Sequence, residues 1–120
     1  MKPFNRNNLQ TVLVPEGEYN ATIEFAQERV SRNGNNYVSV GLRLSPSNRI
    51  VWRNLHVDGD VNSYATQRSH EEMARLMTAT GYNEDVLHTP EDLLTGAEFP
   101  IAITHYRTRD GRVQEEVHYV

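Results

Sequence analysis

Residues 14–44, VPEGEYNATIEFAQERVSRNGNNYVSVGLRL, hold the pattern that decides the fold. Tyr19, Ala21, Ile23 and Phe25 fall on one face of a first alternating run, and Val38, Val40, Leu42 and Leu44 on one face of a second. Period two over such lengths predicts strands with one buried face, and the Ser31–Asn36 stretch between them predicts a turn. A one-residue slip would carry each apolar set into water, so the pattern also says which face is left free. On the second run that free face carries Tyr37, Ser39, Gly41 and Arg43. An aromatic ring, two small residues and an arginine make a surface on which a flat ligand such as a nucleobase can lie.

Working outward, the first strand spans about 17–30, long enough to require a bend or bulge near Ala26. Strand two, about 37–44, is stopped by Ser45-Pro46-Ser47-Asn48, because proline cannot donate to a ladder. Strand three, about 49–57, has two registers. In one, Val51, Leu55 and Val57 point inward and take Arg53 with them; in the other, Ile50 and Trp52 form the core pair. A helix is expected from Ser69 as N-cap to Thr80, with Glu71 and Glu72 in its first turn and Met73, Leu76, Met77 and Thr80 as its buried stripe. Gly81 is the stop. Thr89, Pro90, Glu91 and Asp92 signal a second short helix that Leu93 and Leu94 would pin. Phe99, Ile101, Ile103 and His105 mark strand four, Asp110-Gly111 a hairpin turn, and Val113, Glu115, Val117 and Tyr119 one side of strand five.

The order β-β-β-α-β-β predicts a mainly β fold: a five-stranded, OB-fold-like Greek-key barrel with a helix between strands three and four. An open α+β sheet is the alternative. Residues 1–13, polar and Asn-rich, read as a mobile arm, and residues 14–120 as a single domain.

The composition excludes several classes. Apolar residues make up 38% and charged residues 23% of the 120, so wholesale disorder is not expected. No cysteine is present, which removes disulfide frameworks and thiolate zinc sites and fits a reducing, cytoplasmic compartment. No apolar stretch reaches the roughly 20 residues of a membrane helix, and no secretory h-region follows Lys2. The net charge of −4 argues against a uniformly basic nucleic-acid binder. Its distribution argues the other way: Arg29, Arg32, Arg43, Arg49, Arg53, Arg107, Arg109 and Arg112 lie on predicted strands and turns, while Glu71, Glu72, Glu84, Asp85, Glu91 and Asp92 lie in the helical middle.

In order along residues 14–106, the chain carries Pro15-Glu16-Gly17-Glu18-Tyr19, the Ser31-Arg32-Asn33-Gly34 turn, the Val51–Val57 strand, a helix ending at Gly81-Tyr82, and Glu91-Asp92-Leu93-Leu94-Thr95-Gly96 before a strand. In this it resembles a family of small phage proteins, encoded among replication and recombination genes and regarded as OB-fold single-stranded DNA-binding proteins. The resemblance implies a non-enzymatic role in the cytoplasm of the host cell, with single-stranded DNA as partner and no cofactor. It brings no binding residues of its own.

The residues themselves supply candidates. Single-strand binding needs aromatic platforms and cations spaced along the backbone, and Arg32, Tyr37, Arg43, Trp52, Arg53, Tyr106, Arg107 and Arg109 provide both. Trp52 and Tyr106 serve equally well as core aromatics. His56-Val57-Asp58-Gly59-Asp60 mixes imidazole and carboxylates, yet His70, His105 and His118 are scattered without metal-ligand spacing, so no metal is expected. Nothing marks a nucleophile or a phosphate-cradling glycine loop, so no enzyme is expected. His105 and His118 would face each other across the last hairpin. The alternative function is a protein-interaction module or inhibitor that binds a host or phage protein through the sheet or the acidic helical end. Open sheet edges also permit a homodimer.

Overall fold

The computed structural model of the protein describes residue 1 and residues 13–120. The arm expected over 1–13 falls, apart from Met1 and Leu13, outside the described residues. The fold is mainly β: one antiparallel sheet of β1 (Gly17–Val30), β2 (Asn36–Ser45), β3 (Ile50–Leu55), β4 (Glu98–Arg107) and β5 (Val113–Tyr119), with helix α1 (Tyr64–Ala79) after β3 and a single 3-10 turn at Pro90–Leu93. The strand order is β3-β2-β1-β4-β5. β3 and β5 are therefore the two edges, and the sheet is not closed by hydrogen bonds between them.

One face of the sheet is the core. Val38, Val40, Leu42 and Leu44 are at most 5% exposed, as the alternation in β2 requires. Pairing carries the face across the sheet: Leu42 opposes Val51 and Ile23, and Ala21 opposes Leu44 and Phe99. Ile101 and Ile103 continue it on β4, and Val117 and Tyr119 on β5. Leu76 and Met73 of α1, and Leu93 of the 3-10 turn, pack onto this face.

Phe25 departs from the sequence expectation. The β1–β2 register shifts between Ile23 and Phe25, so a bulge at Glu24 sets Phe25 opposite Gly41 on the outer face and returns Ala26 to the core opposite Val40. An extra residue reverses which parity faces inward, and here it does so one turn of the pleat before the bend expected at Ala26.

The register of β3 is the one that takes Arg53 inward: Val38 opposes Leu55, Val40 opposes Arg53 and Gly41 opposes Trp52. Helix α1 begins six residues earlier than expected, with Ser63 rather than Ser69 as its N-cap, so Glu71 and Glu72 are not in its first turn. Its first turns bury Thr66 and Ser69, small polar residues that carry no hydrophobic signal. Ser69 is inside the helix, where its Oγ accepts the His56 amide at 2.9 Å. Gly81 ends the helix with φ of 76°. At the 3-10 turn the Asp92 carboxylate accepts the Thr89 amide, and Leu93 is fully buried while Leu94 is exposed. No helix among the described residues is long and apolar enough to cross a membrane.

The chain enters across the open side of the sheet. Leu13 O accepts from Arg49 Nη1, the Val14 amide donates to Glu115, and His105 Nε2 donates to Val14 O. His105 therefore faces inward, opposite Glu115, while His118 opposes Ala102 on the outer face and bonds Thr104. The two imidazoles do not face each other, because an odd residue spacing in an antiparallel pair places them on opposite sides of the pleat.

Candidate functional site

The outer face of β1, β2 and β3 is built in rows set by the registers. Arg29 and Tyr37 form one row, which His56, just past the end of β3, extends by its ring contact with Tyr37; Gln27, Ser39 and Asn54 form the next; Phe25, Gly41 and Trp52 the third; Thr22, Arg43 and Ile50 the fourth. In the third row the rings of Phe25 and Trp52 stack, with centroids 5.5 Å apart and planes inclined by 23°. Gly41 makes this possible. A Cβ there would lie 3.0 Å from Phe25 Cδ2 and 3.0 Å from Trp52 Cζ3, closer than carbon atoms normally approach. The two rings thus close over the glycine and leave their outer surfaces to solvent, Phe25 45% and Trp52 50% exposed. The outer surfaces of both rings are therefore open to a ligand. In the first row Tyr37 and His56 lie 5.7 Å apart, tilted by 40°.

The cations divide into free and engaged. Arg43 forms an ion pair with Glu24, the bulge residue, and its Nη1 donates to Asn48 O at 3.1 Å. Arg112 pairs with Asp110 at 3.2 Å. Arg29, Arg32, Arg107 and Arg109 are exposed and make no ion pair among the described residues. Arg32 sits in the β1–β2 turn, Arg107 at the end of β4 and Arg109 in the β4–β5 turn. Coiling of the sheet brings that second hairpin alongside β3, where Val51–Asn54 and Gly111–Glu115 line a cleft of about 900 Å³. Tyr106, 44% exposed, donates to Gln114 on the wall of this cleft at 2.8 Å.

Arg53 reaches this cleft from the inner face of β3, but its guanidinium is engaged. Its Nε and Nη2 donate to the two oxygens of Glu72 on α1 at 2.8 and 2.7 Å, and Tyr119 Oη of β5 donates to the same carboxylate at 2.6 Å. Phosphate would have to displace a bidentate carboxylate from a guanidinium whose side chain is 29% exposed. The hydrogen bond to Glu72 outweighs burial and holds the Arg53 guanidinium above even its usual range. Burial first, and the Glu72 charge second, push the Tyr119 phenol well above its ordinary value. The cluster therefore pins β3, α1 and β5 together across the opening of the sheet.

Of the eight predicted site residues, the structure brings Tyr37, Arg43 and Trp52 onto one face. Arg32 lies in a loop at one end of that face, and Tyr106, Arg107 and Arg109 lie on the hairpin that folds back beside β3. Arg53 turns away. Phe25, Arg29 and His56 join the face without having been singled out as its members. Register alone would have found His56 and Arg29; Phe25 was hidden by the bulge. His56 lies beside Tyr37 and shares a shallow cleft with Asp58 and Asp60, but among the described residues no three His, Asp or Glu side chains meet in a metal-binding cluster.

No family model matches the chain, and no curated protein is detectably similar to it in sequence.

Proposed function

We propose that the protein binds single-stranded DNA on the outer face of β1–β3, with little sequence preference and without catalysis. The stacked, half-exposed Phe25–Trp52 pair over Gly41 is the observation that carries the proposal. Every base has a π-face, so a hydrophobic platform accepts any base, at about 1–3 kcal/mol each. Tyr37 with His56 offers a second platform two rows along the strand. Arg29, Arg32, Arg107 and Arg109 are positioned at the margins to take phosphates, and Arg43 joins them when it exchanges Glu24 for a phosphate oxygen.

The finer fold assignment goes with this function. The strand order leaves β3 and β5 as the two edges, α1 lies across the gap between them, and bringing those edges together would close an OB-type barrel. In such a barrel the face of strands two and three, and the loops joining strands one to two and four to five, bind the nucleic acid. The resemblance to phage replication and recombination proteins suggests the setting, the cytoplasm of a host cell.

Fluorescence anisotropy of labelled single-stranded DNA, duplex DNA and RNA at two salt concentrations tests this, with Trp52 emission followed in parallel. Single-strand binding that quenches Trp52, weakens with salt at a slope of about −0.7 per phosphate and is lost in Trp52→Ala is the expected result. No binding at low salt, or binding that Trp52→Ala and Phe25→Ala leave intact, would refute it.

A further inference from the structure

On the other side of the sheet a second cleft, of about 380 Å³, opens between α1, the start of β2 and the connection that leads to the 3-10 turn. We propose that it is a docking site for a protein segment that presents an apolar side chain next to arginine or lysine. Its floor is apolar: Val57, Met73, Met77 and Leu87 line it. Two thioether side chains give a floor that adapts to the shape of an inserted side chain, as methionine-rich binding surfaces do. The volume lies at the low end of ligand clefts, about 300–1,000 Å³, and fits one or two side chains rather than a whole domain surface.

Charge selects the occupant. Glu28 and Asp58 lie on the same lining with the imidazoles of His88 and of His70, whose Nε2 is bonded to Val57 O at 2.7 Å, and neither carboxylate has an ion pair or hydrogen bond among the described residues. Unpaired carboxylates beside an apolar floor repel phosphate and attract a cation. Glu84, Asp85 and Glu91 are exposed on or next to the connection that supplies Leu87, His88, Thr89 and Pro90 to the lining, so that stretch of chain carries further negative charge. A nucleic acid held on the aromatic face leaves this cleft free, and the two sites are separated by the sheet itself. The site does not depend on the DNA-binding proposal.

The test uses the three methionines of the chain, Met1, Met73 and Met77. Protein labelled with methyl-13C methionine gives three methyl signals, two of them in the cleft, and those two are assigned by Met73→Leu and Met77→Leu. The probe is the peptide acetyl-Leu-Arg-Arg-Leu-amide, with a counterpart in which citrulline replaces both arginines. The expected outcome is a saturable shift of the Met73 and Met77 signals, an unmoved Met1 signal, and at least about fivefold weaker binding of the citrulline peptide. Glu28→Gln with Asp58→Asn, both exposed and expected to leave the free-protein methyl spectrum unchanged, should erase that preference. Absence of any shift at millimolar peptide, equal binding of the two peptides, or a preference that survives the double substitution would each overturn the proposal. Repeating the titration with excess oligonucleotide should give the same shifts, and loss of the shifts would overturn the placement of the cleft apart from the aromatic face.

Discussion

Replacing Glu72 with alanine tests whether the Arg53–Glu72–Tyr119 cluster holds the open side of the sheet. The carboxylate accepts three hydrogen bonds, two from the guanidinium and one from the phenol, and its own side chain is 13% exposed. Removing one partner of a buried ion pair costs about 3–5 kcal/mol, because the charge left behind has no partner. Here the guanidinium keeps 29% of its exposure and recovers some hydration, so the expected loss falls to about 2–4 kcal/mol. For 120 residues the unfolding entropy near 60 °C is about 0.25 kcal/mol/K, so the midpoint of thermal unfolding should fall by about 8–16 °C. Calorimetry reads this directly. The double variant Arg53→Met/Glu72→Met removes both charges and should recover at least half of the loss, since an apolar pair of similar volume often replaces a buried ion pair at little cost. A fall of less than about 3 °C for Glu72→Ala, or a double variant as unstable as the single, would show that the edges are held by apolar packing alone.

Other perturbations separate the two faces. Gly41→Ala inserts a methyl group between the stacked rings, which are exposed and can swing aside; the thermal midpoint should move by only a few degrees, while Trp52 emission shifts and affinity for single-stranded DNA falls about 5- to 150-fold. Unchanged affinity would refute the role of the stack. Glu24→Gln releases Arg43 from its surface ion pair, so stability should change by less than about 1 kcal/mol while single-stranded DNA binds more tightly at an unchanged salt slope, read from titrations at four salt concentrations, because the phosphate no longer has to displace Glu24. The raised Tyr119 phenol gives an alkaline signature. A group whose folded pKa lies above its unfolded value lends stability that is complete below the unfolded value, about 10 for tyrosine, and is lost as pH rises above it. Absorbance at 295 nm and circular dichroism should therefore show one phenol ionising only with unfolding above about pH 10, and Tyr119→Phe should flatten the fall of stability with pH by one proton's slope.

The strands were legible wherever period two ran unbroken. Val38 to Leu44 and Phe99 to Ile103 lie on the faces that their alternation requires, and Asp110-Gly111 turns the last hairpin. What failed did so for nameable reasons. Phe25 continues the alternation of Tyr19, Ala21 and Ile23 in sequence but not in space, because one extra residue in a bulge costs little locally and reverses every later side chain. Ser69 resembles an N-cap because serine caps helices and also tolerates burial when its hydroxyl finds a backbone amide; the amide it finds belongs to His56, thirteen residues earlier. Arg53 resembles a surface cation because its partner is nineteen residues away on another element. Spacing reports neighbours along one strand or helix, so a contact between elements is silent in it. The aromatic stack is the clearest case: the alternation puts Gly41 on the free face, but nothing in it says that rings from the two flanking strands close over that glycine.

The net charge of −4 is compatible with nucleic-acid binding because charge acts over a limited distance. At physiological ionic strength the Debye length is about 8 Å, so a phosphate on the outer face senses Arg29, Arg32 and Arg43 but little of the acids behind the sheet and helix, which stack at roughly 10 Å per layer. At 0.01 M salt the Debye length grows to about 30 Å, comparable with the molecule, and the phosphate then senses the whole of the negative charge. A plot of log affinity against log salt should therefore be linear near physiological salt and bend toward a shallower slope as salt is lowered. Neutralising acids of the far side, as in Glu84→Gln with Asp85→Asn and Glu91→Gln, should straighten the low-salt limb and leave the high-salt limb unmoved. A plot already linear down to 0.01 M, or a triple variant that shifts both limbs equally, would mean that the acids lie within reach of the bound strand. In that case the two faces would not be electrostatically independent.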